Sequence, residues 1–135
     1  MSLNGYEELE HIADLALKVW GEDFETLLRQ AAFGFYHLMG AEIGSGPDTE
    51  EVFTIPQGSR ESILVDFLNE LLFMVEDAQM IFHDFVFERS ERALTVRAFG
   101  CKSVALERTI KAVTFHELEI EQVGNRLEAR ITFDV

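Results

Sequence analysis

The stretch Ser59-Arg60-Glu61-Ser62-Ile63-Leu64-Val65-Asp66-Phe67-Leu68-Asn69-Glu70-Leu71-Leu72-Phe73-Met74-Val75-Glu76 carries the strongest periodic signal in the chain. Ile63, Leu64, Phe67, Leu68, Leu71, Leu72 and Val75 recur at spacings of three and four, which puts them on one stripe of a helix. Glu61, Asp66, Asn69, Glu70 and Glu76 lie off that stripe or on its border, and Ser59 stands where an N-cap would. The stretch predicts an amphipathic helix with one face in a core. Upstream, Phe24, Leu27, Leu28, Ala31, Ala32, Phe35, Leu38 and Met39 repeat the pattern. The acidic Glu22, Asp23 and Glu25 suit the positive end of that helix's dipole, and Gly40 suits its stop.

Outside the two helices the period changes to two. Tyr6 to Glu10 and Leu15 to Val19, running into Trp20, read as strands around the loop His11-Ile12-Ala13-Asp14. Residues 40–51, with Gly40, Gly44, Gly46 and Pro47, read as a loop. Val52 to Ile55 reads as a short strand ended by Pro56. Further strands are expected at Phe82 to Glu88, Leu94 to Phe99 and around Val104, with Ser90-Glu91-Arg92 as a hairpin connection. Lys111 to Val123 reads as one long strand or two joined by a bulge. Gly124-Asn125 is a hairpin pair, after which Leu127, Ala129, Ile131 and Phe133 alternate with Glu128, Arg130, Thr132 and Asp134. The expectation is an α+β, two-layer fold: two main amphipathic helices packed on one mixed, largely antiparallel sheet of six to eight strands.

At 135 residues with 47% hydrophobic content the chain suits one domain over 1–135. Residues 1–5 are expected to be flexible or in part an expression scar. Twenty-five acidic against 11 basic side chains give a net charge of -14. That excess argues against high-affinity nucleic-acid binding, which depends on Lys and Arg displacing counterions from phosphates. It favours a basic protein partner or a metal ion. The lone Cys101 cannot form an internal disulfide and reads as a small buried hydrophobe. No apolar run is long enough for a membrane span, so a cytoplasmic protein without a membrane partner is expected.

Motifs for nucleophilic catalysis, phosphate cradling and dinucleotide binding are absent. His11 and Asp14 share a tight connection, and Asp134 stands beside the chain-end carboxylate of Val135. Carboxylates brought together repel unless a cation lies between them, and a hard divalent ion, calcium or magnesium, suits such oxygens. The plain alternatives are an Asx-type turn at Asp14 and an ordinary wet-face residue at Asp134. Lys111 either reaches toward these acids or borders the sheet. Glu117, Glu119 and Glu121 look like a solvated strand face, and His37 and His83 receive no role. A metal-dependent hydrolase on His11, Asp14 and Asp134 lacks the further ligands of a two-metal centre. A second alternative is an acidic chaperone or protein-binding module using Phe82, Phe85 and Phe87, although Phe in such a fold is more often core.

Four separated motifs then point to a family. Glu10-His11-Ile12-Ala13-Asp14, Phe67-Leu68-Asn69-Glu70-Leu71-Leu72-Phe73, Ile110-Lys111-Ala112-Val113-Thr114-Phe115-His116 and Phe133-Asp134-Val135 together resemble archease, in order and nearly end to end. The resemblance implies a non-catalytic accessory protein that activates an RtcB-type RNA-splicing and RNA-repair ligase. It would promote guanylylation of the ligase and multiple turnover. It also implies a divalent metal pocket on His11, Asp14, Asp134 and Val135, and a role in partner activation for Lys111 with Asp14 and Asp134. The family is also discussed as a modulator of a tRNA methyltransferase. Two departures stand out: Ile12, where the family usually carries Thr, and Phe115, where Tyr is frequent. Oligomeric state is left open, because edge strands could pair two copies.

Overall fold

The computed structural model describes residues 3–9, 15–44, 47–103 and 105–135. In chain order the elements are β1 (Gly5–Leu9), β2 (Leu15–Gly21), α1 (Phe24–Met39), β3 (Thr49–Pro56), α2 (Arg60–Ala78), β4 (Met80–Arg89), β5 (Ala93–Lys102), β6 (Ala112–Thr114), β7 (Ile120–Val123) and β8 (Arg126–Asp134). Both expected helices form, and their ends follow local chemistry. Asp23 caps α1 by accepting the Thr26 N–H at 2.7 Å, and Gly40 ends it in the left-handed region at φ 62. Ser59 caps α2 by accepting the Ser62 N–H at 3.1 Å.

The Thr26 hydrogen bond holds the Asp23 carboxyl below its ordinary value of 3.8. The cap therefore stabilises fully above that value and fades as pH falls through the lowered folded pKa. Asp23→Ala is expected to cost about 1 kcal/mol near neutral pH. In urea unfolding the gap between wild type and variant narrows from about pH 7 to about pH 3; a gap independent of pH would remove the carboxylate from the cap.

The strands form two sheets where one was expected. Strands β1-β2-β8-β6, with β7 also on β8, make a five-stranded sheet, and β3-β5-β4 make a three-stranded one. Every pairing among the described residues is antiparallel, so the expected mixed character is corrected too. Alternation reveals which face of a strand is buried but not which sheet the strand joins. Here both helices pack on strands of both sheets, so all the inward faces look alike in sequence.

Four boundaries also differ. Strand β3 begins at Thr49, inside the expected 40–51 loop, because its first residues are exposed edge positions without apolar alternation. Val104 lies outside the described residues, and 105–111 is no strand but a segment pinned to the end of α1, where Glu107 and Arg108 N–H donate to the Met39 carbonyl at 2.8 and 3.2 Å. Lys111 to Val123, expected as one strand or two joined by a bulge, is two strands, β6 and β7, parted by a turn rather than a bulge, in which Glu117 takes φ 53 and Leu118 N–H donates to the Phe115 carbonyl at 3.0 Å. Toward the N-terminus, Gly5 already belongs to β1 and Asn4 Oδ1 accepts the Glu22 N–H at 2.9 Å, so those two positions are tied down rather than flexible.

The hairpin at Gly124-Asn125 forms as expected. Gly124 has φ 60 while Asn125 has no positive φ, the arrangement of a II′ turn with glycine at its first central position. The core is aromatic around Phe67, which is fully buried between Phe85, Phe87 and Phe53 at ring distances of 5.4, 5.7 and 6.3 Å. Phe82, Phe85 and Phe87 are all buried, which removes them as a client-binding surface. Cys101 is buried as expected, its thiol donating to the Gly44 carbonyl at 3.4 Å.

One glycine marks a close approach. Gly100 lies opposite Phe82, where a bulge shifts the β4–β5 register. A Cβ there would collide with the Ile81 carbonyl oxygen and come within 2.7 Å of the Phe82 Cα. Backbone cannot rotate away as a side chain can, so Gly100→Ala is expected to destabilise by about 2–3 kcal/mol in urea unfolding. An unchanged midpoint would mean that β4 moves freely at the bulge.

Candidate functional site

The site begins at the end of β8. Its core face carries Leu127, Ala129, Ile131 and Phe133, all buried, so alternation places Glu128, Arg130, Thr132 and Asp134 on the other face of the sheet. At the far end of this row, Glu128 accepts from Arg126 Nε at 2.7 Å and pairs with Lys18 Nζ at 3.4 Å. Partial desolvation pushes the Glu128 carboxyl up, but those two cations outweigh it and hold the group below the ordinary carboxylate range. A groove of about 450 Å³ lies over the row, lined by Lys18, Glu128 and Arg130 together with Glu117, Glu119 and Glu121. The three glutamates thus belong partly to a turn and an acidic groove wall, not to one continuous strand face.

At the near end no ion pair forms among the described residues. Asp134 and Val135 are both exposed, and among the described residues the Asp134 carboxylate has no hydrogen-bond or ion-pair partner. Its main chain is firmly held. Lys111 N–H donates to the Asp134 carbonyl at 2.8 Å, and Ala112 lies opposite Asp134 in the β6–β8 ladder. On the other side, Leu15 pairs with Phe133, so β2 starts beside the end of β8. Strand β6 is itself fixed from α2: the Val113 N–H donates to Asn69 Oδ1 at 3.4 Å. Similarly, the Ile120 N–H of β7 donates to Glu61 Oε2 at 3.3 Å.

Of the sequence-predicted site residues, the structure therefore brings Lys111, Asp134 and Val135 to one end of the five-stranded sheet. His11 and Asp14 lie outside the described residues. Lys111 meets Asp134 through the main chain, and among the described residues its ammonium forms no ion pair. Among the described residues, which do not include His11 and Asp14, no group of three or more His, Cys, Asp or Glu is placed to hold a metal. The described donors at this end, the exposed Asp134 carboxylate and Val135, are oxygens of the kind a hard cation takes, but by themselves too few for a calcium or magnesium site.

Three features are not legible in the sequence as site geometry. Asn69 is visible there only as a polar border residue, and Glu61 likewise, yet each sends a side chain to anchor a strand of the opposite layer. His83, to which the sequence assigns no role, has its Nε2 2.8 Å from Asp48 Oδ2, a pairing across 35 positions that no local pattern signals. The exposed Phe115, at 56%, follows directly on β6, the strand next to Lys111, without a hydrogen-bonding phenol.

Comparison with known proteins identifies the family and agrees with the fold. The family model described as the Archease protein family matches residues 6–135. The archease of Methanosarcina barkeri is 31% identical over 140 residues, covering 96% of this chain and 95% of that protein, and that of Methanosarcina mazei is 33% identical with the same coverage. Among solved structures, an archease of Thermotoga maritima, described as a possible chaperone, superposes with a TM-score of 0.71 at 25% identity over 96% of each chain. The solution structure of Methanobacterium thermoautotrophicum protein 1598 gives a TM-score of 0.73 at 24% identity, over 97% of this chain and 99% of that one, a likeness of fold. With the α+β architecture, the motif order and the near-complete match in agreement, the chain belongs to the Archease protein family.

Proposed function

We propose that this protein is an accessory factor that activates an RtcB-type RNA ligase, raising its guanylylation and turnover through the acidic end of the five-stranded sheet. The observation that carries the reading is the Asp134 carboxylate, exposed and without a partner among the described residues, at the end of a strand whose main chain is held by Lys111. A side chain of that kind is held in position by backbone bonds that do not consume its charge. Lys111, bonded to Asp134 through the main chain, would bring one cation to the same end of the sheet. Asp14 and His11 would complete the tip, and Asp14, Asp134 and Val135 would supply the oxygens for a divalent ion, calcium or magnesium. Such an ion would offer fixed positive charge to phosphate or carboxylate oxygens of the partner.

The charge balance supports the choice of partner. A ligase that holds RNA presents a basic groove, and a body of net charge -14 is steered toward it by complementary fields that salt screens. The description of the Thermotoga maritima relative as a possible chaperone is compatible with an accessory role. The burial of Phe82, Phe85 and Phe87 argues against client binding on those rings. We read the protein as cytoplasmic and non-catalytic; no helix among the described residues is long and apolar enough to cross a membrane.

The test is RNA ligation with the cognate ligase limiting, in GTP and a divalent ion, with and without this protein. Multiple turnover that depends on the protein supports the reading. Equal product per ligase in both arms, with a competent ligase, contradicts it.

A further inference from the structure

The edges of the two sheets are protected very unequally. In the five-stranded sheet the outer strands are short: β1 has five residues, β6 three and β7 four. In the three-stranded sheet β4 has ten residues, but α1 covers its edge. The Phe82 N–H donates to the Tyr36 hydroxyl at 3.2 Å, Arg29 Nη2 donates to the Phe85 carbonyl at 3.1 Å, and a bulge between Phe82 and Asp84 breaks the strand's flatness. These are the devices by which natural sheets blunt an open edge.

Strand β3 is neither short, nor covered by a helix among the described residues, nor bulged; of the usual safeguards it carries only the charges of Glu50 and Glu51 and the terminal Pro56. Its eight residues pair with β5 in unbroken register from Thr49 opposite Gly100 to Pro56 opposite Ala93. Its other side is the sheet margin, and among the described residues no hydrogen bond reaches it there. Alternate N–H and C=O groups of β3 therefore face outward as a template for one more strand. The side chains around them select the partner. Val52 is 57% exposed, Glu51 is exposed without an ion-pair partner among the described residues, and Glu50 is shared with Arg97 of the neighbouring strand at 2.8 Å. The strand itself carries two carboxylates and no cation, and the whole chain carries -14, so a second copy is repelled from this edge.

We infer that β3 is a docking edge for an extended basic segment of another protein, which adds as a strand with Lys or Arg on the face of Glu51 and an apolar residue on the opposite face, toward Val52. Main-chain bonds supply the attachment, and Glu51 and Val52 supply the choice of partner. The edge lies on the opposite sheet from Asp134, so this surface stands apart from the ligase reading and its fate is decided separately.

The experiment uses the full chain labelled for amide hydrogen exchange, with a short peptide alternating Lys and Val as the probe and one alternating Glu and Val as the control. The Lys-Val peptide is expected to slow exchange at alternate amides of β3, the signature of strand addition. Binding should weaken about tenfold in Glu51→Lys and measurably in Val52→Ser, both exposed positions, and should fall with salt. Protection elsewhere or at none of the β3 amides would overturn the inference. So would equal binding of the Glu-Val peptide. Protection produced by raising the protein concentration alone, with a doubled mass in sedimentation, would assign the edge to a second copy and overturn it as well.

Discussion

Asp134→Ala is expected to return ligase turnover to the level of the ligase alone while leaving the protein folded. The two halves of that result have separate causes. Asp134 holds the sheet together through its carbonyl, which accepts the Lys111 N–H at 2.8 Å, and through its place opposite Ala112. Alanine keeps both. The carboxylate makes no hydrogen bond or ion pair among the described residues and is exposed, so its removal should change stability by no more than about 0.5 kcal/mol. What disappears is the one fixed negative charge that the β8 side chains deliver to the tip. Asp134→Asn sharpens the test, since it keeps shape and hydrogen-bonding capacity but not charge. Loss of activation in both variants, with unfolding midpoints unchanged, is the predicted outcome. Full activation by the Asn variant would mean that charge at this position is not what the ligase uses.

The largest effect on stability is expected for Phe67→Ala. Phe67 is fully buried on α2 and meets Phe85 and Phe87 edge-on and Phe53 in a stacked contact, so it joins the helix to both outer strands of the three-stranded sheet. Truncation removes the ring's transfer energy, those aromatic contacts, and the packing around the resulting cavity. The expected loss is about 3–5 kcal/mol. For a chain of this size that lowers Tm by about 10–20 °C. Set against a typical total of about 5–15 kcal/mol, such a variant approaches the folding threshold. Thermal unfolding followed by circular dichroism measures it. A fall of only a few degrees would show that the neighbouring rings collapse into the space.

These two residues also show what could be read from sequence. Phe67 announces itself: it sits on an unbroken stripe at spacings of three and four, and a stripe of that length has nowhere to go but a core. The caps at Asp23 and Ser59, the stop at Gly40 and the turn at Gly124 are similarly local, each decided by one residue's backbone or side-chain chemistry. The division into two sheets is not local. It depends on Thr49 pairing with Gly100 and Leu15 with Phe133, over dozens of positions, and alternation is the same whichever sheet a strand joins. Glu117 in the left-handed region splits what alternation suggested could be one strand, because a Glu gives no warning of a positive φ. At the site, the nearness of Lys111 to Asp134 follows from β6 lying on β8; the residues alone left open whether Lys111 reaches the acids or borders the sheet, and the resemblance to a family favoured the first. Asn69 is legible as a border residue of the helix stripe, but its bond to Val113 exists only once α2 and β6 are packed.

The most direct measurement is the amount of guanylate attached to the cognate ligase, followed with labelled GTP and a divalent ion, before and after one round of ligation, with wild-type protein, with Asp134→Asn and without either. Wild-type protein is predicted to restore guanylate on the spent ligase, and the Asn variant to leave it at the level seen with no added protein. Equal guanylylation in all three arms, by a ligase that still joins RNA, would contradict the account.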